Sequence, residues 1–379
     1  MPSTASAAQV RQVDVLVDVA RWALAREAQA AGLAIAAPLP DLAGLDPLPF
    51  CSAVRGHRVS PLVAEHGDDL GLPHAAMEQV QELATQEALA AMTLAVQTPR
   101  VLDLLAAAGI PALAYKGVAL SLLTTGLATD RGNGDVDLLV HECDIPAALG
   151  LLQAQGLRLE VFSPAQVEHW WPLIRWSTRE LLLLGTPAQV DLHWSVTQEH
   201  GLLPPTADLL ARAQVIDVLG APVTTLGDDD TLLAACYHLH HDAYRSLRHV
   251  VDVIRLLRSR TAPVVWQGRP AAMAAESARL AVALVGGLPQ GHLEALGIPP
   301  APIAPALRQW QAHRHDPMTR DRPAGLTSTF TETRDSYRHS RFVRELPRIA
   351  STYLLMRLAP RLEAPVNAAG IVQAVTGRR

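Results

Sequence analysis

The stretch that most constrains this chain is residues 135–140, Asp-Val-Asp-Leu-Leu-Val. Asp135 and Asp137 alternate with Val136, Leu138 and Val140. That is the period of a β-strand, so both carboxylates leave one face and the apolar side chains leave the other. No Lys or Arg separates the two acids, so their charges repel. A fold that keeps them together needs something positive beside them, and a divalent cation is the usual solution. Upstream, the apolar run 110–115 closes on Lys116-Gly117 and gives way to the helix-like Val118-Ala-Leu-Ser-Leu-Leu. A strand that ends in Lys-Gly before a helix can offer backbone N–H groups and an ammonium to phosphate. Together these read as a phosphate site facing a metal site.

The rest of the pattern predicts an α/β (α+β) core with a small mixed sheet, flanked by helical regions. The expected division is 1–98 N-terminal helical region, 99–200 catalytic core and 201–379 C-terminal helical region. Helical spacing spans 8–34 and 73–108, separated by a Pro-rich loop at 38–49. Strands are expected at 110–115, 135–140, 157–162, 179–184 and 189–194, with helices at 117–125 and 143–155. Gly185-Thr-Pro joins the last two strands as a hairpin. Further on, a helical stripe starts at Thr231 and must break near 242–247 before continuing to Leu257. Short helices are expected at 270–285 and 303–313, and a basic final helix at 336–362.

Composition narrows the function. A net charge of −5 and a pI near 6.3 leave no broad basic footprint for long nucleic acid, although a short RNA is not ruled out. Cys51, Cys143 and Cys236 are isolated, with no Cys-x-x-Cys pair, so neither a disulfide framework nor a zinc ribbon is expected. The N-terminus carries no basic-then-apolar leader pattern. No uninterrupted apolar run reaches the roughly 18 residues of a membrane span. A cytoplasmic location is expected.

A third carboxylate, Asp191, opens the strand-like Val190-Asp-Leu-His-Trp. Three acids on neighbouring strands can hold two Mg²⁺ ions, one for an attacking hydroxyl and one for nucleotide phosphates. Lys116-Gly117, the run Arg131-Gly-Asn-Gly-Asp-Val-Asp-Leu-Leu-Val, and Val190-Asp-Leu-His-Trp together resemble the nucleotidyltransferase superfamily of the DNA polymerase β type. More narrowly, they resemble the bacterial "uncharacterised nucleotidyltransferase" family. The helix Leu232-Leu-Ala-Ala-Cys-Tyr-His-Leu-His-His and the following Leu247-Arg-His-Val-Val-Asp-Val-Ile-Arg-Leu-Leu are similar to that family's C-terminal part. The resemblance covers about 99–260.

It implies that Asp135 and Asp137 bind Mg²⁺, and that Asp191 completes the metal site or activates the acceptor hydroxyl. An NTP would be co-substrate, contacted by Lys116, Gly117 and Arg131. Where the wider superfamily begins its helix Gly-Ser or Gly-Gly, this chain has Val118 after Gly117, so a serine contact to phosphate is missing and Lys116 supplies charge instead. Arg131 has two roles open to it: a phosphate partner, or a salt bridge to Asp130 or Asp135.

The remaining polar clusters read as structural. His238, His240, His241 and His249, with Asp242 and Asp252, lack the His-Glu-x-x-His zinc pattern and are read as core or interhelix hydrogen bonders. If one of them acts, a place in the cleft is expected. His193 is expected to point away from Asp191, to the opposite strand face. Asp228, Asp229 and Asp230 precede a helix and suit its positive end. Trp170, Trp171 and Trp176 are expected to pack beneath the sheet. The reading is a Mg²⁺-dependent nucleotidyltransferase moving an NMP group from an NTP to a small molecule, peptide or protein acceptor. The alternative is a non-catalytic nucleotide-binding or scaffold protein on the same fold.

Overall fold

The structure is a computed structural model that describes residues 7–197, 199–315, 339 and 342–359. The chain opens with helices α1 (Ala7–Ala30), α2 (Pro47–His57), α3 (Ser60–Leu70) and α4 (His74–Ala107). The core follows as β1 (Ala112–Ala114), α5 (Gly117–Thr125), β2 (Val136–Val140), α6 (Ile145–Ala154), β3 (Arg158–Leu159), α7 (Pro164–Ser177), β4 (Glu180–Leu184) and β5 (Val190–His193). Next come α8 (Thr206–Ala211) and the hairpin β6 (Gln214–Val218) and β7 (Ala221–Thr225). Helices α9 (Asp228–His241), α10 (Leu247–Ser259), α11 (Gly268–Val285), α12 (His292–Ala295), α13 (Ala304–His313) and α14 (Phe342–Leu358) complete it.

The five-stranded sheet runs β1-β2-β5-β4-β3. Only the central pair, β2 with β5, is parallel; the β1–β2, β4–β5 and β3–β4 pairs are antiparallel. Val136, Leu138 and Val140 bury on the sheet's packed face, in a core shared with α4, α6 and α7. The expected small mixed sheet and flanking helices are therefore present. Sequence periodicity misses α2, α3, α7 and the β6–β7 hairpin. Pro47, Pro61 and Pro164 look like loop residues but sit in first helical turns, where a missing N–H costs nothing. Trp170 and Trp171 of α7 pack against the sheet's core, whereas Trp176 is 47% exposed.

The N- and C-terminal helices do not form separate cores. Leu16, Ala20 and Leu24 of α1 share one apolar cluster with Phe50 and Val54 of α2, Tyr237 of α9, Ile254 of α10 and Leu280 of α11. Burying each such large side chain contributes about 1.5–3 kcal/mol, so the two ends hold each other against the central sheet. Helix α4, 34 residues long, feeds both cores. By length and composition it contains a stretch apolar enough to cross a membrane. The helical break expected near 242–247 falls between α9 and α10.

One cross-link between the ends titrates. Ser246, ahead of α10, makes no side-chain capping bond. Instead, the Leu247 N–H donates to His57 Nδ1 at 3.1 Å, from the end of α2. Burial holds the His57 imidazole neutral, with its pKa down at about 4. The folded value lies below the unfolded value of about 6.5, so the contribution is complete above pH 6.5 and is lost as pH falls toward 4. The loss by pH 4 is about 3 kcal/mol. Urea titrations from pH 7 to pH 4 should show a correspondingly smaller drop in a His57→Asn variant than in the parent.

Candidate active site

The site is assembled by strand register. Asp137 on β2 lies directly opposite Asp191 on the parallel strand β5. Paired residues share a face, so the two carboxylates stand side by side. Asp135, one residue before β2, falls on the same face by the two-residue period. Lys116-Gly117 closes the neighbouring β1 edge, and Gly117 opens α5 with φ +52°, a conformation that favours glycine. A Cβ at that position would sit 3.5 Å from the Asp135 carbonyl oxygen and 3.9 Å from Asp137 Oδ2. Helix α5 has no side-chain cap, so its first-turn N–H groups are directed at whatever lies beside the acids.

The acids do not face each other alone. Lys116 Nζ donates to Asp137 Oδ1 at 3.1 Å. His193 Nε2 lies 3.3 Å from Asp137 Oδ1 and 3.1 Å from Asp191 Oδ2, while its Nδ1 lies 3.0 Å from Glu180 Oε2. The expectation that His193 turns to the opposite face is incorrect. Two residues on from Asp191, it has the same parity and enters the site; its wholly buried ring packs edge-on to Tyr115. Glu180 is its cross-strand partner on β4, and Arg179 Nε is 3.0 Å from the Glu180 carboxylate.

Charge follows this geometry. Burial works against ionisation of Asp137, but Lys116 and His193 outweigh it and hold its carboxyl well below the usual range. For Asp135 the same two cations are outweighed. Asp137 beside it, burial and Asp191 push its carboxyl up to about 6. Burial acts to neutralise His193, yet Tyr115, Asp191 and Glu180 hold it well above its ordinary value, as an imidazolium. Lys116 and His193 are thus the chain's own cations among three acids.

Does this set fit a metal? A carboxylate oxygen of Asp137 and one of Asp191 lie within 4.8 Å of each other; His193, doubly protonated, has no lone pair for a metal and positions the two acids instead. Asp191 Oδ1 is buried and has no hydrogen-bond partner among the described residues. Carboxylate oxygens with one left unsatisfied suit a hard divalent cation such as Mg²⁺. Asp135 flanks this group.

Arg131 lines the cavity beside the acids but makes neither of the expected salt bridges. Its Nε donates to both Asp252 oxygens of α10, at 3.2 and 3.0 Å, and its Nη1 donates to Asn133 Oδ1 at 2.8 Å. It pairs with neither Asp130 nor Asp135, because α10 brings a buried carboxylate closer. A cavity of about 180 Å³ is lined by the three acids and also by Arg58, Arg248, His238 and His249. For the two histidines this is the cleft position that the sequence offers as the alternative to a structural role; both arginines are missed, because their proximity depends on packing between distant helices. His240 instead bonds to Tyr244, whose hydroxyl donates to Glu276, and the His241 ring stacks on Tyr237. A larger cavity, about 790 Å³, lies beside Asp228, Asp229 and Asp230. All three acids lie in the first turn of α9, at its positive end, but the helix has no side-chain cap; Asp229 and Asp230 pair instead with Arg260 and Arg212.

Residues 44–289 match the family described as uncharacterised nucleotidyltransferase. The chain belongs to that family. A search of curated proteins finds no significant match. Membership makes the chain a nucleotidyltransferase by family, and the paired Asp137 and Asp191 beside Lys116-Gly117 lie within the matched span.

Because Arg131 and Asp252 are buried on both sides of their ion pair, removing one partner strands the other's charge. Asp252→Ala should lose about 3–5 kcal/mol in urea unfolding, and an Arg131→Met/Asp252→Leu double variant should recover most of it.

Proposed function

We propose that the chain is a Mg²⁺-dependent nucleotidyltransferase that transfers an NMP group from an NTP, such as ATP, to a hydroxyl or phosphate oxygen of an acceptor. The observation that carries this reading is the direct pairing of Asp137 with Asp191 beside the uncapped Lys116-Gly117 helix start. Asp137 and Asp191, flanked by Asp135, would hold one or two Mg²⁺ ions, which when bound neutralise triphosphate charge and orient the reactants. The N–H groups opening α5 receive phosphate oxygens, helped by the positive end of the helix. Asp191 Oδ1, which has no hydrogen-bond partner among the described residues, either completes the metal site or takes the acceptor proton as the acceptor oxygen bonds to the α-phosphorus. The bond from that phosphorus to its bridging oxygen breaks, and pyrophosphate leaves with the electron pair. His193, anchored by Glu180, fixes the directions of Asp137 and Asp191; preorganisation of this kind supplies much of an enzyme's acceleration.

The net charge of −5 favours a small-molecule, peptide or protein acceptor over RNA. The three free cysteines suit the reducing cytoplasm. A second reading has an observation of its own. Lys116 and His193 already balance Asp137, and Val118 offers no hydroxyl to phosphate, as in a nucleotide-binding protein that does not turn over.

Incubation with Mg²⁺ and each labelled NTP, with and without an acceptor pool from cell extract, separates the two. Transfer predicts pyrophosphate release that falls by about 10²–10³-fold or more in Asp137→Ala and Asp191→Asn. Release by Asp137→Ala equal to that of the parent would sink the catalytic assignment. ATP binding by calorimetry without turnover in any pool would favour the second reading.

A further inference from the structure

Two arginines from the flanking helices line the same cavity as the acids, and among the described residues neither is ion-paired, although Asp252 and Asp242 lie near enough to Arg248 to favour its charge. Arg248, on the first turn of α10, donates from Nη1 to the Gly132 carbonyl oxygen at 2.6 Å, and its Nη2 lies 3.4 Å from His249 Nε2. Its Nε is buried without a hydrogen-bond partner among the described residues. The nearby carboxylate of Asp252 is occupied by Arg131. Arg58 caps α2 at φ +52° and ψ +50°, a left-handed conformation that costs a non-glycine residue roughly 1–2 kcal/mol. Its backbone N–H closes the helix on Arg55 and Val54, and its side chain lines the same cavity as Arg248 and the three acids. Neither arginine makes an ion pair with a carboxylate among the described residues.

Burying like charges together is costly unless a counter-ion completes the site. Burial, with Arg131 and Arg58 adding repulsion, draws the Arg248 guanidinium down to about 9, which marks the same deficit of negative charge. The cavity therefore carries both signs of charge. Asp135, Asp137 and Asp191 in its lining call for a cation, and Arg58 and Arg248 in the same lining call for an anion. A polyphosphate carrying its own cation satisfies both. The arginines also answer the replacement of a phosphate-binding hydroxyl by Val118.

We propose that Arg58 and Arg248 form the seat for the terminal phosphates of a nucleoside triphosphate donor. The inference rests on the nucleotidyltransferase reading for the identity of the donor, but the anion seat itself does not require turnover. It makes the donor a triphosphate, since two guanidinium groups beyond Lys116 supply positive charge for more than one phosphate. It also makes the site dependent on α2 and α10, which pack in one core.

Calorimetry on the full chain tests this with two probes. Without divalent cation, inorganic tripolyphosphate should bind the parent and bind Arg248→Gln and Arg58→Gln about tenfold or more weakly, the scale of a lost charge-assisted bond. Arg248→Lys should retain part of the affinity. With Mg²⁺, both Gln variants should weaken ATP binding by a similar factor while leaving AMP affinity unchanged. Failure of the parent to bind tripolyphosphate overturns the proposal, as does equal tripolyphosphate affinity in the Gln variants or an equal loss for ATP and AMP. If Arg248→Gln does not fold, the half-buried Arg58→Gln decides by the same criteria. Tripolyphosphate binding that depends on the arginines, with no nucleotide turnover under any condition, would keep the seat and reject the transferase reading.

Discussion

Two carboxylates held opposite each other on parallel strands repel, and the arrangement around them follows from that repulsion. Asp137 and Asp191 are locked together by the β2–β5 register. Backbone pairing fixes their separation whatever their charges prefer. The chain answers with Lys116 from the end of β1 and with His193, which lies against both acids. Glu180 and Arg179 extend the alternation of charge outward along β4. The response is incomplete: the Asp135 carboxyl remains pushed up to about 6, and Asp191 Oδ1 has no partner among the described residues. Incomplete neutralisation beside a helix start is the electrostatic condition under which a divalent ion and a phosphate are bound together.

The flanking helices complete the lining of the cavity. Helices α1, α2, α9, α10 and α11 meet in a single apolar cluster, which carries Arg58, His238, Arg248 and His249 into that lining. Two further cross-links hold it. Arg131 ties the loop before β2 to Asp252 of α10, and the buried Arg179 guanidinium donates to Tyr237 of α9 at 3.2 Å. Ligand recognition and helical packing are therefore coupled, because Leu113, Tyr115 and Leu139, beside the acids, share this same cluster with the helices that carry Arg58 and Arg248.

The acidic half was legible in the sequence because it rests on short-range periodicity. Asp135 and Asp137 alternate within one strand, Lys116-Gly117 marks a strand-to-helix turn, and Asp191 sits in a second apolar strand. His193 was equally legible by that rule and was misread only through a slip of parity, since residues two apart on a strand share a face. The basic half was not legible. Arg58 and Arg248 are 190 positions apart in the sequence, and only the packing of α2 beside α10 joins them. Arg131 shows the same limit: local reading offered Asp130 or Asp135, while the partner chosen, Asp252, comes from 121 residues downstream. Helices α2, α3 and α7 escaped notice because prolines in their first turns imitate loop punctuation.

The central claim is that the carboxylates of β2 and β5 form a metal site which a nucleotide shares. The most direct measurement is anomalous scattering from crystals grown with Mn²⁺ and an NTP analogue that cannot be cleaved at the α-phosphorus. The account predicts a metal peak bonded to oxygens of both Asp137 and Asp191, with the analogue's phosphates on the same ion. Mn²⁺ bound elsewhere, with the analogue absent from this cavity, would contradict it.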